Sequence, residues 1–413
     1  MTPGRNDPFI TVRIPEYRNL LQGRFIFIMG LRMMATLVGW WIYQLTNDPF
    51  AIGLVGLSEV IPAVSLALYA GHVIDQSEKR KLLLKGVVFY FIAIGLLVFI
   101  SSRFTASHLS NHWIAICIYI VIFCTGVIRS FTGPVFGAMI AYIVPRDDLQ
   151  NATTWSQGTW LSASVTGHAA GGFLIAGCGI TGTLIVVCGF ILAAFFFLYK
   201  VKPKPASNVK GAIRTWESVK EGLQFVLKTK ELLGAFSLDL FAVLFGGAVA
   251  LIPIYARDIL KVGPEGFGFL NGAADLGSII IVIILTFFPM KKHHGKKMLI
   301  AVAGFGICII VFGISKFFFL SFVALLISGI LDGISVVVRG TITQLKTPDN
   351  MRGRVISVSS MFVNSSNELG QFESGVTAKL FGTIPSVVIG GSMTLLVVIA
   401  TWFKAPSLRK MEY

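Results

Sequence analysis

Charge is what this sequence has least of. Only 13% of its 413 residues are Asp, Glu, Lys or Arg, against roughly 25% in a soluble domain. Hydrophobic residues make up 54%, and the mean hydropathy is +0.78. Those figures exclude an ordinary globular enzyme and favour a polytopic membrane protein. Cysteine is also scarce. Cys117, Cys124, Cys178, Cys188 and Cys308 are odd in number, unpaired as CxxC and embedded in apolar runs. They read as buried thiols, not as a disulfide frame or metal site. There is no P-loop, no HExxH and no nucleophile elbow, so neither ATP hydrolysis nor other enzyme chemistry is expected, and no cofactor or metal. The first 24 residues carry Arg5, Arg13, Arg18 and Arg24 with no apolar core before Phe25. That pattern is not a cleavable signal, and the N-terminus is expected to be retained.

What the sequence does have is long apolar stretches. A bilayer-crossing helix needs about 20 such residues. Twelve candidates fall at 22–46, 50–72, 82–101, 112–140, 152–177, 181–200, 232–255, 266–289, 297–315, 318–343, 354–381 and 384–404. The breaks between them are turn-forming or charged, such as "TNDP", "VPRDD", "GCGITG" and "TPDNMRGR". Of the 35 Lys and Arg residues, 27 lie on the side of the N-terminal tail, 4 on the opposite side and 4 (Arg32, Arg129, Arg339, Lys379) within spans. The asymmetry predicts cytoplasmic termini in a multi-pass inner-membrane protein. The net charge of +15 is thereby a topology signal that also meets membrane lipid headgroups. No nucleic-acid partner is expected.

The only long polar connection, 201–231, separates six spans from six. It defines an N-terminal half at 1–200, a cytoplasmic linker and a C-terminal half at 232–413. Within the linker Ile213, Trp216, Val219, Leu223 and Val226 are spaced for one helix face, which predicts an amphipathic helix on the membrane surface. The halves repeat. At a constant offset of 203, Gly126, Pro145, Ser156, Gly167, Gly172 and Gly179 match Gly329, Pro348, Ser359, Gly370, Gly375 and Gly382. Parallel six-span repeats are a transporter layout, with substrate held between the halves. The fold class expected is therefore an all-α polytopic membrane protein of twelve helices in two pseudo-symmetric halves.

The stretch "GHVIDQSEKRKLLL" resembles the loop between spans two and three of the major facilitator superfamily, G-x-x-x-D-x-x-G followed by a basic pair. Gly71 and Asp75 match, Lys79 and Arg80 fill the basic pair, and Glu78 stands where the family has its second glycine. The resemblance implies a conformational gate at Gly71, Asp75, Lys79 and Arg80; the alternative is a basic loop that only fixes topology. "RDDLQNA" and "Q-x-x-T-P-x-x-x-x-G-R" are similar to the branch holding the bacterial enterobactin exporter and related siderophore and macrolide effluxers. That resemblance covers almost the whole chain. It implies a monomeric exporter of a small-molecule substrate, exchanging it for protons.

Ionisable groups inside a membrane are costly and are functional candidates by default. Arg32, Glu59 and Asp275 fall near mid-depth, and Asp239 nearer the cytoplasmic side. Arg129, followed by Gly133, resembles the family's R-x-x-x-G element, whose arginine is implicated in proton coupling; at offset 203 it meets Asp332. Glu368 and Glu373 are five residues apart, about 140° around a helix, and point different ways. Each acid fits either substrate and proton coupling or a plain ion pair inside the membrane. His168 reads as a packed hydrogen-bonder or a proton relay. Lys379 is expected to snorkel to the outer interface, and Trp40, Trp41 and Tyr43 to form an interfacial aromatic belt or a stacking surface at the cavity exit.

Overall fold

The computed structural model describes residues 7–204, 215–288, 290, 293–348 and 351–411. Among these the chain is helical, with no strand. In order come α1 (Pro15–Thr46), α2 (Pro49–Gln76), α3 (Lys79–Ile100), the short α4 (Arg103–His108), α5 (Asn111–Ile143), α6 (Leu149–Tyr199), α7 (Thr215–Lys228), α8 (Lys230–Phe245), the single turn α9 (Ile252–Ile254), α10 (Gly263–Phe287), α11 (His294–Ile314), α12 (Phe318–Lys346), α13 (Arg352–Phe381), α14 (Thr383–Lys404) and α15 (Pro406–Arg409).

The breaks follow from local chemistry. Asn47 turns left-handed at φ 49° after α1. Asp48 Oδ1 then accepts from the Phe50 N–H at 3.0 Å, and Pro49 opens α2 where a missing donor is harmless. Glu78 caps α3 by accepting from the Lys81 N–H at 3.2 Å. Ser102 caps α4 in the same way through the Thr105 N–H.

Among the described residues ten helices are long and apolar enough to cross a membrane. One of them is α6, with 51 residues. Its length of about 77 Å at 1.5 Å per residue exceeds twice the apolar thickness of a bilayer. It is broken at Gly179, where φ is 68° and ψ is −173°, a conformation open essentially to glycine alone. α13 has the length, 30 residues, but a polar composition. The twelve-span reading therefore takes α6 as two crossings and adds α13.

The chain divides into two compact units, 1–41 with 61–211, and 42–60 with 212–413. The end of α1 and the first half of α2 thus belong by contact to the second unit, although by sequence they lie in the first half. The internal repeat is visible in the backbone. Gly179 and its match Gly382 both take positive φ, 68° and 91°, at corresponding helix breaks. Gly167 on α6 lies against α1, where a Cβ would meet Arg32 Cβ and the Met29 carbonyl at 2.7 Å. Its match Gly370 on α13 lies against α8, 2.9 Å from the Val243 carbonyl.

Three expectations change. The linker helix α7 does not lie free on a membrane surface: Val226 is buried in one core with Phe236, Val355 and Val358, and Glu221 pairs with Arg354 of α13. Its apolar face finds protein before lipid. The side chains of Trp216 and Val219, and Ile213 altogether, lie outside the described residues. Trp40, Trp41 and Tyr43 are buried, so they do not form a lipid-facing belt. The cysteines are all free, but none is buried, and Cys124 and Cys178 are exposed. Apolar sequence in a membrane protein points outward as readily as inward. Phe288, Phe317 and Phe319 are correspondingly 75%, 74% and 77% exposed.

Candidate functional site

The first unit holds cations within its long helices. Arg32 on α1 stacks its guanidinium over the Trp160 ring of α6 at 5.1 Å, a favourable use of a charge away from water. One turn further along α1, Thr36 Oγ1 lies 2.7 Å from His168 Nδ1, which gives His168 the packed, hydrogen-bonded role. Arg129 is half-buried on α5. Nearer the start of α1, Arg24 donates to Ser156 of α6 and faces the Phe136 ring at 5.5 Å.

The second unit holds acids. Asp239 on α8 forms a buried ion pair with Arg339 of α12, the two residues 5% and 7% exposed. Asp275 on α10 and Asp332 on α12 lie near enough for their charges to interact, held there by helices that pack along their lengths. Glu368 on α13 is buried and accepts from Gln371 Nε2 at 3.0 Å. Glu373, on another face of the same helix, is half-buried. Glu59 is half-buried on the part of α2 that belongs to this unit. Arg339 was legible in sequence as an in-span charge; its pairing to Asp239 was not, because the two are 100 positions apart.

At the basic loop, Lys79 is buried and turns back onto the end of α2, donating to the Ile74 carbonyl at 2.5 Å and the Ser77 carbonyl at 3.2 Å. A cation there satisfies exposed carbonyls and the negative end of the helix dipole. Arg80 donates to the Tyr199 carbonyl at 2.5 Å and stacks on the Tyr199 ring at 4.7 Å, fastening α3 to the end of α6. Gly71 and Asp75 belong to the last turns of α2; their side-chain environment lies outside the described residues.

A cluster that sequence reading missed lies at the other end. Lys379 pairs with Asp48 at 2.8 Å and sits over the Phe50 ring at 5.0 Å. Tyr43 donates to Asp258, and Arg257 stacks on the Tyr43 ring at 5.1 Å. Beneath them α2 and α13 touch through glycines. A Cβ on Gly53 would stand 3.1 Å from Gly375 Cα, and one on Gly56 would stand 3.1 Å from the Glu368 carbonyl. Residues 42–60 are thus sewn to the second half by one ion pair, one tyrosine–aspartate bond and a glycine seam. "TNDP" read only as a turn because its partners are more than 200 positions away.

Helices repeated in two sets, with polar partners held inside an apolar shell, define a membrane transporter of the major facilitator superfamily. Within it, the chain belongs to the transmembrane secretion effector family, whose model matches residues 7–413. It is similar to the enterobactin exporter EntS of Shigella flexneri, 24% identical over 349 residues that cover 83% of this chain and 80% of that protein. The fold is shared with a POT family transporter solved with 5-aminolevulinic acid, at TM-score 0.75 and 11% identity over 95% of this chain and 96% of that one. It is shared too with the inward open xylose transporter XylE from E. coli, at TM-score 0.67 and 13% identity over 98% and 97%. These neighbours are transporters, not enzymes.

Proposed function

We propose that this chain exports a small organic molecule, a siderophore or drug-like compound, from the cytoplasm across the inner membrane by proton antiport and alternating access. It works as a monomer with both termini in the cytoplasm. The observation that carries the reading is ionisable side chains within the spans of both units. Arg32 and Arg129 are in the first unit, while Glu59, Asp275, Asp332, Glu368 and Glu373, beside the paired Asp239 and Arg339, are in the second. Such groups are expensive in lipid, and a fold that keeps them on both of its repeats has a use for them. Cations suit a polar or anionic cargo. Acids suit protons. The name of the relatives supports export, and so does the family description.

In this reading Glu59 carries the coupling proton, Asp239 is committed to Arg339, and Gly71, Asp75, Lys79 and Arg80 control the cytoplasmic side of the cycle. The glycine seam between α2 and α13, with Asp48–Lys379 and Tyr43–Asp258, closes the outer side and separates when cargo leaves. The fold also serves uptake, so direction is the property to test. Inside-out membrane vesicles with an acidic lumen should load enterobactin, and a protonophore should discharge it. Loading only by right-side-out vesicles would make the chain an importer. No loading of enterobactin alongside loading of a macrolide would keep the exporter and change the cargo.

A further inference from the structure

The start of α3 carries a stripe outside the residues assigned to the transport cycle. Lys81, Leu84, Lys85, Val88 and Phe89 stand at i, i+3, i+4, i+7 and i+8 of a helix that begins at Lys79, so they share one face. With Phe195 of α6 they line an open cleft of about 290 Å³. A second cleft, also about 290 Å³, continues from it over the first turn and shares Lys81 and Lys85.

Its chemistry is layered by depth. At the rim two ammonium groups stand one turn apart, where like charges repel. Neither takes part in an ion pair among the described residues. The acid at the rim, Glu78, spends its side chain on the Lys81 backbone N–H as a helix cap. Arg80 is turned away to Tyr199. One turn beyond Lys85, about 6 Å along the axis, the floor becomes apolar, with Val88 43% and Phe89 56% exposed. Two ammonium groups against one carboxylate that caps the helix leave the rim net positive over an apolar floor, at the end of a membrane span, which matches an anionic phospholipid from phosphate to acyl chain. A zwitterionic headgroup would bring its own cation to two ammonium groups.

We propose that this cleft binds an anionic phospholipid of the cytoplasmic leaflet, its phosphate between Lys81 and Lys85 and an acyl chain over Val88, Phe89 and Phe195. The site is independent of what the protein transports.

The test is native mass spectrometry of the purified full chain titrated with phosphatidylglycerol or phosphatidylcholine. The wild-type chain should retain phosphatidylglycerol preferentially. Lys81→Gln with Lys85→Gln should lower that retention about thirtyfold, the order expected for two lysines at about 1 kcal/mol each at a membrane surface, and leave phosphatidylcholine unchanged. Lys81→Arg with Lys85→Arg should keep the preference. Lys296→Gln with Lys297→Gln, a basic pair at the start of α11, should behave as wild type. Phosphatidylglycerol retention undiminished in the Lys81, Lys85 glutamine variant overturns the proposal. So does equal retention of the two lipids by the wild-type chain, which would leave an apolar groove without headgroup selection.

Discussion

Gly375→Ala should loosen the glycine seam that, in the proposed cycle, closes the outer side. A methyl at Gly375 would stand 2.7 Å from Gly53 Cα, 2.9 Å from Gly53 N and 3.1 Å from the Pro49 carbonyl. All three are backbone atoms, so no side chain can rotate away. Ordinary contact begins at 3.4 Å, so α2 must retreat by about 0.7 Å, the difference between 3.4 and 2.7 Å. Overpacking of this kind costs about 1–3 kcal/mol. The clash exists only while α2 and α13 touch, so opening relieves it, and the open-to-closed ratio should rise about 5- to 150-fold. The assay uses a chain whose five native cysteines are replaced and whose Gln371 is changed to Cys. Gln371 Cβ lies 2.9 Å from where a Gly56 Cβ would stand, inside the seam. A membrane-impermeant maleimide added from outside should label this thiol several-fold faster with Gly375→Ala than without it. Gly189→Ala, where a Cβ meets nothing within 4 Å, should leave the rate alone. Unchanged labelling in a folded, normally inserted Gly375→Ala protein would refute the seam as the element that opens.

Two further outcomes concern stability. Asp239→Ala strands a buried guanidinium and should cost about 3–5 kcal/mol, read as a fall in the thermal unfolding midpoint. Adding Arg339→Met should restore part of that loss, and a double variant no better than the single would mean the pair is not what holds α8 to α12. Gly179→Ala and Gly382→Ala each force a side chain into a backbone region reserved for glycine, at about 1–3 kcal/mol; similar drops in unfolding midpoint from the two would follow from their equivalence in the repeat, and no drop from either would contradict the conformation described.

Much of this fold is legible in the sequence because a membrane imposes long apolar stretches, and the repeat leaves glycines in register. Gly179 and Gly382 matched as letters and match again as positive φ. Span eleven was counted with the others in the sequence despite its polar "NSSNELGQFESG"; by apolarity alone α13 is not counted, and its place in the repeat supports it. Periodicity gave α7 its apolar face but not what covers it, because lipid and protein reward the same pattern. The same ambiguity misplaced the cysteines and Trp40, Trp41 and Tyr43. The site divides along a similar line. Which charges lie in the membrane is a matter of counting, and each candidate lies on a helix. Partners are a matter of tertiary structure. Asp239 with Arg339, Asp48 with Lys379 and Tyr43 with Asp258 are separated by 100 to 331 positions, and no spacing rule reaches that far.

The central claim is that proton movement drives cargo outward through a carboxyl at mid-depth, and Glu59→Gln tests it most directly. The variant is reconstituted in liposomes and compared with the wild-type chain in two modes. An imposed pH gradient should drive net efflux of enterobactin, or of whichever cargo the vesicles load, by the wild-type chain, and Glu59→Gln should abolish it. Exchange of labelled for unlabelled cargo at equal pH should survive, because alternating access itself needs no proton. Asp275→Asn should reduce driven efflux less. Full gradient-driven efflux by Glu59→Gln would contradict the account and move the coupling role to Glu368.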